Sequence, residues 1–269
     1  MTDGFEIPVT EVDLGPGILA FFTSRVGGYS APPFNGLNVG DKVHDDVVSV
    51  QQNRELLAQI AGGPVRFSRQ VHDCEVLDDA TYAEHERENP RMLATQTVEF
   101  SADGVVTVAQ DTPVGVYVAD CVPVLLADAE AGVIAAAHAG RPGLEAQVIS
   151  ATLTRMCASG AHMGRIKAAV GPCICAHCYE VPEVMARNFA AVTGTEISQT
   201  RWNTVGISLR AAAENELFAA GVTKVEHIVR CTYEDDGYFS HRRATHEVNI
   251  TEGKSGRFAG VITRSTPSP

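Results

Sequence analysis

The sequence lacks an excess of basic residues and a long apolar run. Lys and Arg number 21 against 33 Asp and Glu, which gives a formal net charge of -12. A chain this acidic is a poor candidate for general binding to nucleic acid or to anionic membranes. It still permits a local basic pocket for a small anion. No apolar run approaches the ~20 residues of a membrane span, so we expect no membrane partner.

A secretory leader is also missing from the sequence as given. The first residues, MTDGFEIPVTEVDLG, show no basic segment followed by an apolar one. The seven cysteines are an odd number, which is most simply explained by reduced thiols inside a cell. We therefore expect a cytoplasmic protein. The sequence leaves its oligomeric state open.

The order of predicted elements favours an α+β fold with mixed sheets and helices outside them. Short Val-rich runs between residues 104 and 138 predict several strands in succession, and helical spacing predicts helices over 45–63 and 144–160. Residues 65–77 are predicted to be a strand, and 79–96 an exposed irregular segment. No repeat or linker interrupts the chain, so we expect one domain over residues 1–269.

Three residues stand out as candidates for catalysis or metal binding. His72 lies in RQVHD, Cys121 in ADCVP between two strand-like runs, and His138 at the end of GVIAAAH. One Cys and two His can bind a catalytic Zn²⁺ and leave its fourth position open. The same residues can form a cysteine nucleophile with an imidazole base. Three unrelated buried side chains are the remaining alternative.

Four further polar residues are candidates for catalysis or substrate binding. Asp120 precedes Cys121 and could orient a ligand or carry a proton, or could cap a turn. Arg54, on the apolar side of a predicted helix, is a candidate phosphate partner or one half of a buried ion pair. Arg242 is a second candidate anion ligand, with surface charge as the alternative. Asn38 could bind ribose or base, or could form an Asx turn.

A cysteine-rich segment, GPCICAHCYEV, suggests a second kind of metal site. Cys173, Cys175, His177 and Cys178 are its candidate ligands. A structural zinc site usually takes its ligands from two separated pairs, whereas these four span six residues. The spacing therefore favours packing or loop thiols over zinc in this segment.

Seven sequence blocks in order resemble the laccase-domain family, whose members bear the names polyphenol oxidoreductase and purine nucleoside phosphorylase. The resemblance covers residues 18 to 262, and the blocks are FNGLNVGDKVHDD…NR, QVH, ADGVVT, ADCVPVLLAD, AAAHAGRPGL, GPCICAHCYEV and FSHRR…SGRFAGVI. It implies a four-layer α/β/β/α arrangement similar to the catalytic domain of the cytotoxic necrotising factor toxins.

The resemblance also implies a chemistry and a set of ligands. It implies a zinc site formed by His72, Cys121 and His138, with purine nucleosides and phosphate as partners. The implied reactions are phosphorolysis of adenosine, inosine, guanosine and methylthioadenosine, and deamination of adenosine at the same site. The family commonly has Trp-Arg where this sequence has Arg141-Pro142, so no role for that arginine is carried over.

Three other functions stay open at this stage. A multicopper oxidase uses many His ligands in His-x-His pairs, and the nine His of this chain include no such pair. The polyphenol oxidase (laccase) alternative would then use a single Cu²⁺, bound by the trio of His72, Cys121 and His138. A Cys-dependent hydrolase that edits peptidoglycan precursors and a non-enzymatic zinc protein are the other two.

Overall fold

The structure, a computed structural model, describes residues 7–88 and 98–265. The strands are β1 Val9–Val12, β2 Ile18–Thr23, β3 Ser68–Arg69, β4 Val76–Leu77, β5 Val98–Ser101, β6 Gly104–Thr107, β7 Val114–Val118, β8 Val122–Asp128, β9 Val133–Ala139, β10 Lys167–Val170, β11 Ser198–Gln199, β12 Val205–Gly206, β13 Lys224–His227 and β14 Phe258–Arg264. The α-helices are α1 Val47–Ala61, α2 Asp79–Glu88, α3 Arg141–Glu145, α4 Val148–Ala158, α5 Glu183–Thr193, α6 Leu209–Ala219, α7 His241–His246 and α8 Val248–Thr251.

Two sheets form the centre of the molecule. The first has the strand order β1-β2-β14-β7, with every neighbouring pair antiparallel. The second has the order β13-β10-β8-β9-β6-β4 and is mixed, because its two edge pairs are parallel and its inner pairs antiparallel. The expectation of an α+β fold with mixed sheets is confirmed.

A shared apolar layer joins the two sheets, and the alternation of side chains explains how. Along β8, Leu125 faces the first sheet, where it packs in one cluster with Phe22 and Ile262. Its neighbours Val124 and Leu126 face the opposite side and pack beneath the helices α4 and α6. Both faces of β8 are therefore buried, which accounts for the continuous apolar run VPVLLAD.

Helices cover the outer faces of both sheets. Helix α1 packs Leu57 against Phe21 and Val261 on the first sheet. Its N-terminus is capped by the Asp46 side chain, and it ends at Gly62, whose φ of 81° needs a residue tolerant of the left-handed region. Within the described residues, no helix is long and apolar enough to span a bilayer.

The register of β8 and β9, two central strands of the second sheet, brings Cys121 and His138 to the same end of these strands. Cys121 immediately precedes β8, and His138 is the penultimate residue of β9. These strands are antiparallel, with Pro123 opposite His138. Because side chains alternate along a strand, Cys121 and His138 both belong to the face that packs on the first sheet.

The structure corrects three predictions of secondary structure. The helix predicted over 144–160 is divided into α3 and α4, because Gln147 between them has a left-handed φ of 62°. Residues 65–77 are not one strand, since β3 and β4 enclose a bend in which His72 has a left-handed φ of 65°. Residues 79–88 form helix α2, where an irregular segment was expected; residues 89–96 of that segment lie outside the described residues. A helix of low apolar content is stabilised here by tertiary contacts, among them the Asp79 carboxylate bonded to Thr107 Oγ1 at 2.7 Å.

Candidate active site

A buried carboxylate, Asp103, links the parts of the candidate site. Its Oδ1 accepts hydrogen bonds from His138 Nδ1 at 2.7 Å and from the His72 backbone N–H at 3.0 Å. Its Oδ2 accepts from the N–H groups of Val71 at 3.0 Å and Asp73 at 2.9 Å. Burial alone would raise the pKa of Asp103, but the hydrogen bond and charge of His138 and these N–H donors lower it. The group is therefore an ionised acceptor.

His72, Cys121 and His138 converge beside Asp103. One ligand atom from each lies within 4.8 Å of the other two, and Cys121 Sγ is 3.7 Å from His72 Nε2. A tetrahedral zinc with ordinary bond lengths separates a sulfur from a nitrogen ligand by roughly 3.6 Å. Because His138 Nδ1 donates to Asp103, its Nε2 is left for a metal. The residues therefore fit a borderline-soft divalent ion, while its presence and identity stay predictions.

The electrostatics of the trio favour a thiolate. Burial would raise the pKa of Cys121, but the charges and hydrogen bonds of His138 and His72 lower it to about 6. Burial would lower the pKa of His138, but the charge of Cys121 and the hydrogen bond to Asp103 raise it to about 9. In metal-free protein the pair is thus thiolate and imidazolium between about pH 6 and about pH 9.

Gly140 leaves the space that the trio needs. A Cβ on this residue would lie 2.6 Å from His72 Cδ2 and 3.0 Å from Cys121 Sγ. Its φ of -80° is open to any residue, so the requirement is one of volume and not of backbone conformation. Helix α3, which follows Gly140, has only five residues, too few for a strong helix dipole at this point.

The trio lies in the wall of a cavity of about 790 Å³. That size falls in the range of small-molecule sites. Two tyrosines, Tyr117 and Tyr179, give it aromatic surface. One carboxylate, Asp120, and five cationic side chains also line it; the cations are Lys42, Arg69, Arg141, Arg242 and Arg257. The cavity is a basic region within an acidic chain.

The structure places two predicted site residues, Asp120 and Arg242, in the cavity wall beside the trio. Asp120 Oδ2 accepts from the Arg242 backbone N–H at 2.7 Å, and Oδ1 accepts from Thr232 Oγ1 at 2.7 Å. Arg242 donates to Glu180 O at 2.8 Å and stacks over Tyr179 at 5.0 Å. Asp120 therefore holds the start of α7, and Arg242 presents its charge beside an aromatic ring.

The two other predicted substrate ligands, Asn38 and Arg54, are not among the residues that line the cavity. Asn38 is fully buried, and its Oδ1 accepts from the Arg257 backbone N–H at 2.8 Å. Arg54 Nε donates to Val39 O at 2.8 Å, and its guanidinium lies 5.0 Å from the centre of the Phe67 ring. Both residues thus sit one layer behind the wall.

Sequence reasoning missed three residues of the site. Asp103 was visible only as the second residue of the ADGVVT block, at the start of a strand. Arg257 lies in the C-terminal SGRFAGVI block, and its Nη1 donates to Ser255 O at 2.7 Å and Gly256 O at 2.9 Å. Tyr179 lies within the cysteine-rich segment GPCICAHCYEV, directly after Cys178. All three residues lie in sequence blocks that resemble the laccase-domain family. No pattern within those blocks distinguishes these residues from their neighbours.

Comparison with known proteins places the chain in a family. Residues 19–265 match the family described as "Multi-copper polyphenol oxidoreductase laccase". The chain belongs to this family. "Purine nucleoside phosphorylase ORF3" of Streptomyces griseus is 40% identical over 90% of this chain and 92% of its own length. "Adenosine deaminase RL5", from an unknown prokaryotic organism, is 34% identical over 91% of this chain and 94% of its own length.

The laccase-family likeness extends to a solved structure. The crystal structure of Neisseria meningitidis protein NMB0706 superposes with a TM-score of 0.81 at 28% sequence identity. The match covers 97% of this chain and 99% of that one. Identity, coverage and superposition agree, so the family assignment does not depend on the motifs alone.

Adding a methyl group at Gly140 tests the packing of the trio. We expect Gly140→Ala to displace His72 or Cys121, because the new Cβ would lie closer to His72 than real contacts allow and unusually close to Cys121. The variant should lose most metal bound at the trio, measured by elemental analysis of the purified protein. Gly160→Ala is a useful control, because a Cβ there meets nothing within 4 Å. Full retention of that metal by Gly140→Ala would contradict the packing argument.

The reactivity of Cys121 in metal-free protein tests its lowered pKa. We expect alkylation by iodoacetamide to reach half its maximal rate near pH 6, because the thiolate is the nucleophile. The stability that Cys121 ionisation contributes is complete above its ordinary pKa of 9.0 and is lost as the pH falls through about 6. The contribution of His138 is complete below 6.5 and is lost as the pH rises through about 9.

Mass spectrometry of the peptide that carries Cys121 measures this reaction without interference from the other thiols. Cys74 is an internal reference, because burial and the charge of Asp73 raise its pKa. A Cys121 profile that follows the Cys74 profile, with no reaction below pH 8, would refute the thiolate–imidazolium pair.

Proposed function

We propose that the protein is a purine nucleoside phosphorylase that also deaminates adenosine, with adenosine, inosine, guanosine and methylthioadenosine as substrates. The observation that carries this proposal is the group of five cationic side chains around the cavity of the Cys/His trio, in a chain of net charge -12. Phosphate, a dianion near neutral pH, is the anion this wall suits. The names of the relatives support purine nucleosides as the second substrate.

We propose Zn²⁺ as the metal of the trio, held by the side chains of His72, Cys121 and His138. Three nitrogen and sulfur ligands with an open fourth position form the donor set of a catalytic zinc site. When bound, zinc supplies a water of lowered pKa for deamination. Asp103 fixes the orientation and tautomer of His138 for this purpose. Cu²⁺ is the alternative ion for such a donor set, and it would support the polyphenol oxidase function.

Arg257 is the most strongly organised of the candidate phosphate ligands. Its Nη1 is held by two backbone carbonyl oxygens, and its backbone N–H is held by Asn38. Gly40 permits this arrangement, since a Cβ there would lie 2.7 Å from Arg257 Cγ. A guanidinium fixed in this way loses little rotational freedom on binding an anion. Asn38 thereby acts through Arg257 as a positioning residue.

Phosphorolysis requires one bond to form at C1′ of the ribose and one to break. A phosphate oxygen bonds to C1′ while the C1′–N9 bond breaks, and its electron pair goes to the purine, which takes up a proton. Burial and the charge of Cys121 raise the pKa of Tyr179 to about 12, so this phenol stays protonated as a donor to the leaving base. Arg242, stacked on Tyr179, adds positive charge beside it.

Deamination of adenosine takes place at C6 of the purine, not at C1′ of the ribose, and its nucleophile is water. A water oxygen bonds to C6 and the C6–N6 bond breaks, with ammonia as the leaving group. The cationic wall has no part in this reaction, because no anion is consumed. The two reactions are therefore separable by substitution, since phosphate ligands serve one and the metal trio serves the other.

We further propose that residues 1–269 form one domain located in the cytoplasm. Its two sheets, each covered by helices on the outer face, correspond in this proposal to the four-layer α/β/β/α arrangement of the toxin catalytic domain. The packing of α1 on the first sheet and of α4 and α6 on the second supports this arrangement.

Product analysis with inosine is the experiment that decides the reaction. With phosphate present we expect hypoxanthine and ribose 1-phosphate in equal amounts, separated by chromatography. Hypoxanthine with free ribose, unaffected by omission of phosphate, would mean hydrolysis. Adenosine converted to inosine with no free base would leave the deaminase and remove the phosphorylase. Oxygen uptake on a phenol without base release would favour the oxidase.

Replacement of Arg257 separates the phosphate site from the nucleoside site. We expect Arg257→Gln to raise the KM for phosphate roughly 30- to 1000-fold, because losing a charged partner of a buried anion costs about 2–4 kcal/mol. The KM for inosine should change much less. Steady-state kinetics at saturating inosine and varied phosphate measure the effect. Arg187→Gln, on an arginine with 70% of its side chain exposed, is the matched control.

Arg54 supplies the contrasting case for the same assay. Its contacts with Val39 and Phe67 lie behind the wall, so Arg54→Ala should lower the free energy of unfolding by about 1–3 kcal/mol. Its KM for phosphate should stay within about threefold of wild type. A phosphate effect as large as that of Arg257→Gln would restore Arg54 as the phosphate ligand.

A further inference from the structure

A second cluster of metal-binding side chains lies apart from the Cys/His trio. It comprises Cys175, Cys178, Cys231 and Glu234, and one ligand atom from each lies within 4.8 Å of the others. We propose that these four residues bind a second, structural Zn²⁺. We call them the Cys₃Glu cluster.

The cluster has the spacing that the cysteine-rich segment alone lacked. Cys175 and Cys178 are three residues apart in one loop, and Cys231 and Glu234 are three apart in another. Two such pairs from separate segments form the usual frame of a closed tetrahedral zinc site. Of the ligands suggested by sequence, Cys173 is instead buried beside Arg210, with its Sγ 3.6 Å from Nη2.

Backbone hydrogen bonds hold the two loops in register before any metal binds. Cys173 and Cys231 form an isolated parallel bridge, with Cys173 N–H donating to Arg230 O at 3.2 Å and Thr232 N–H to Cys173 O at 3.2 Å. Each ligand pair also closes a tight turn: Cys178 N–H donates to Cys175 O at 3.0 Å, and Glu234 N–H to Cys231 O at 3.2 Å.

The distances permit a metal without rebuilding the loops. Zinc bonded to two sulfurs at ~2.3 Å in a tetrahedron separates them by roughly 3.8 Å. Since no ligand atoms in the cluster are more than 4.8 Å apart, closing on the ion requires movements of about 1 Å or less. Rotations of four side chains supply this movement, so the backbone can stay in place.

Neighbouring donors offset the negative charge of the cluster. Three thiolates and one carboxylate around Zn²⁺ carry a net charge of -2. The Cys175 backbone N–H donates to Cys231 Sγ at 3.3 Å, and the Arg201 guanidinium forms an ion pair with Glu234. Both contacts favour the ionised ligands. Thiolates select soft and borderline metals, which excludes Mg²⁺ and Ca²⁺ as natural occupants.

The cluster lies next to the wall of the active-site cavity, which assigns its metal a structural role. Tyr179, which lines the cavity, directly follows Cys178. Thr232, which directly follows Cys231, donates its hydroxyl to Asp120 beside Cys121. A zinc in the cluster therefore ties together the two loops that hold one wall of the active-site cavity. Four protein ligands leave it no open position, so its role is structural.

Metal analysis of a protein without the first site tests the proposal. We expect Cys121→Ala, purified in reducing buffer without chelator, to retain one zinc per chain. Its X-ray absorption spectrum should show three sulfur neighbours at ~2.3 Å and one oxygen at ~2.0–2.2 Å. Cys121→Ala/Cys178→Ala should retain less than a tenth of that zinc. Cys121→Ala/Cys157→Ala is the matched control, because Cys157 lies on α4 outside both clusters.

Three results would overturn the proposal. One is a folded Cys121→Ala protein with no zinc at any added concentration of the metal. Another is a zinc spectrum dominated by nitrogen ligands. The third is a disulfide among Cys175, Cys178 and Cys231 in protein purified without reductant, together with failure of the reduced protein to bind zinc. The spectrum of Cys121→Ala keeps the test decisive even if loss of Cys178 prevents folding.

Discussion

The four hydrogen bonds accepted by the Asp103 carboxylate are the interactions on which the site depends. A carboxylate buried without partners would cost several kcal/mol, so it is stable only with the full set of donors around it. Three of those donors are consecutive backbone N–H groups of the loop that contains His72, and the fourth is the imidazole of His138. One side chain thus sets both the path of the His72 loop and the tautomer of His138. This single buried charge therefore positions both histidines of the trio.

The parts of the site that could be predicted from sequence are those governed by local periodicity. Cys121 and His138 fall at ends of antiparallel strands, where alternation and register dictate that their side chains meet. His72 was expected on a strand and lies in a bend, because its position is set by hydrogen bonds to Asp103, over thirty residues away in sequence. Glu234 was likewise not predictable as a partner of Cys178, since only tertiary folding brings their loops together.

Arg54 and Asn38 show the limit of reasoning from residue type. Both are polar residues in apolar surroundings, and burial of that kind does require partners. The Arg54 guanidinium pairs with Asp41 at 3.4 Å and its Nε donates to Val39 O. The Asn38 side chain bonds to the Arg257 backbone N–H and to the Asp45 carboxylate. These contacts stabilise the wall from behind, and neither side chain lines the cavity. The residues that line the cavity can also be compared with the family description, which names a multi-copper oxidoreductase. A cavity with five cations and one trio of Cys and His differs from a site built of many histidines, and it favours anionic substrates.

The place of β14 in the first sheet has a consequence for the assembly of the chain during synthesis. This strand, the last one described, lies between β2 and β7, which are made much earlier. Until β14 emerges from the ribosome, β2 and β7 each keep an unpaired edge, and the apolar layer beneath them stays open to solvent. The first sheet therefore stays incomplete until β14 has been made, a state in which exposed strand edges can associate with other chains.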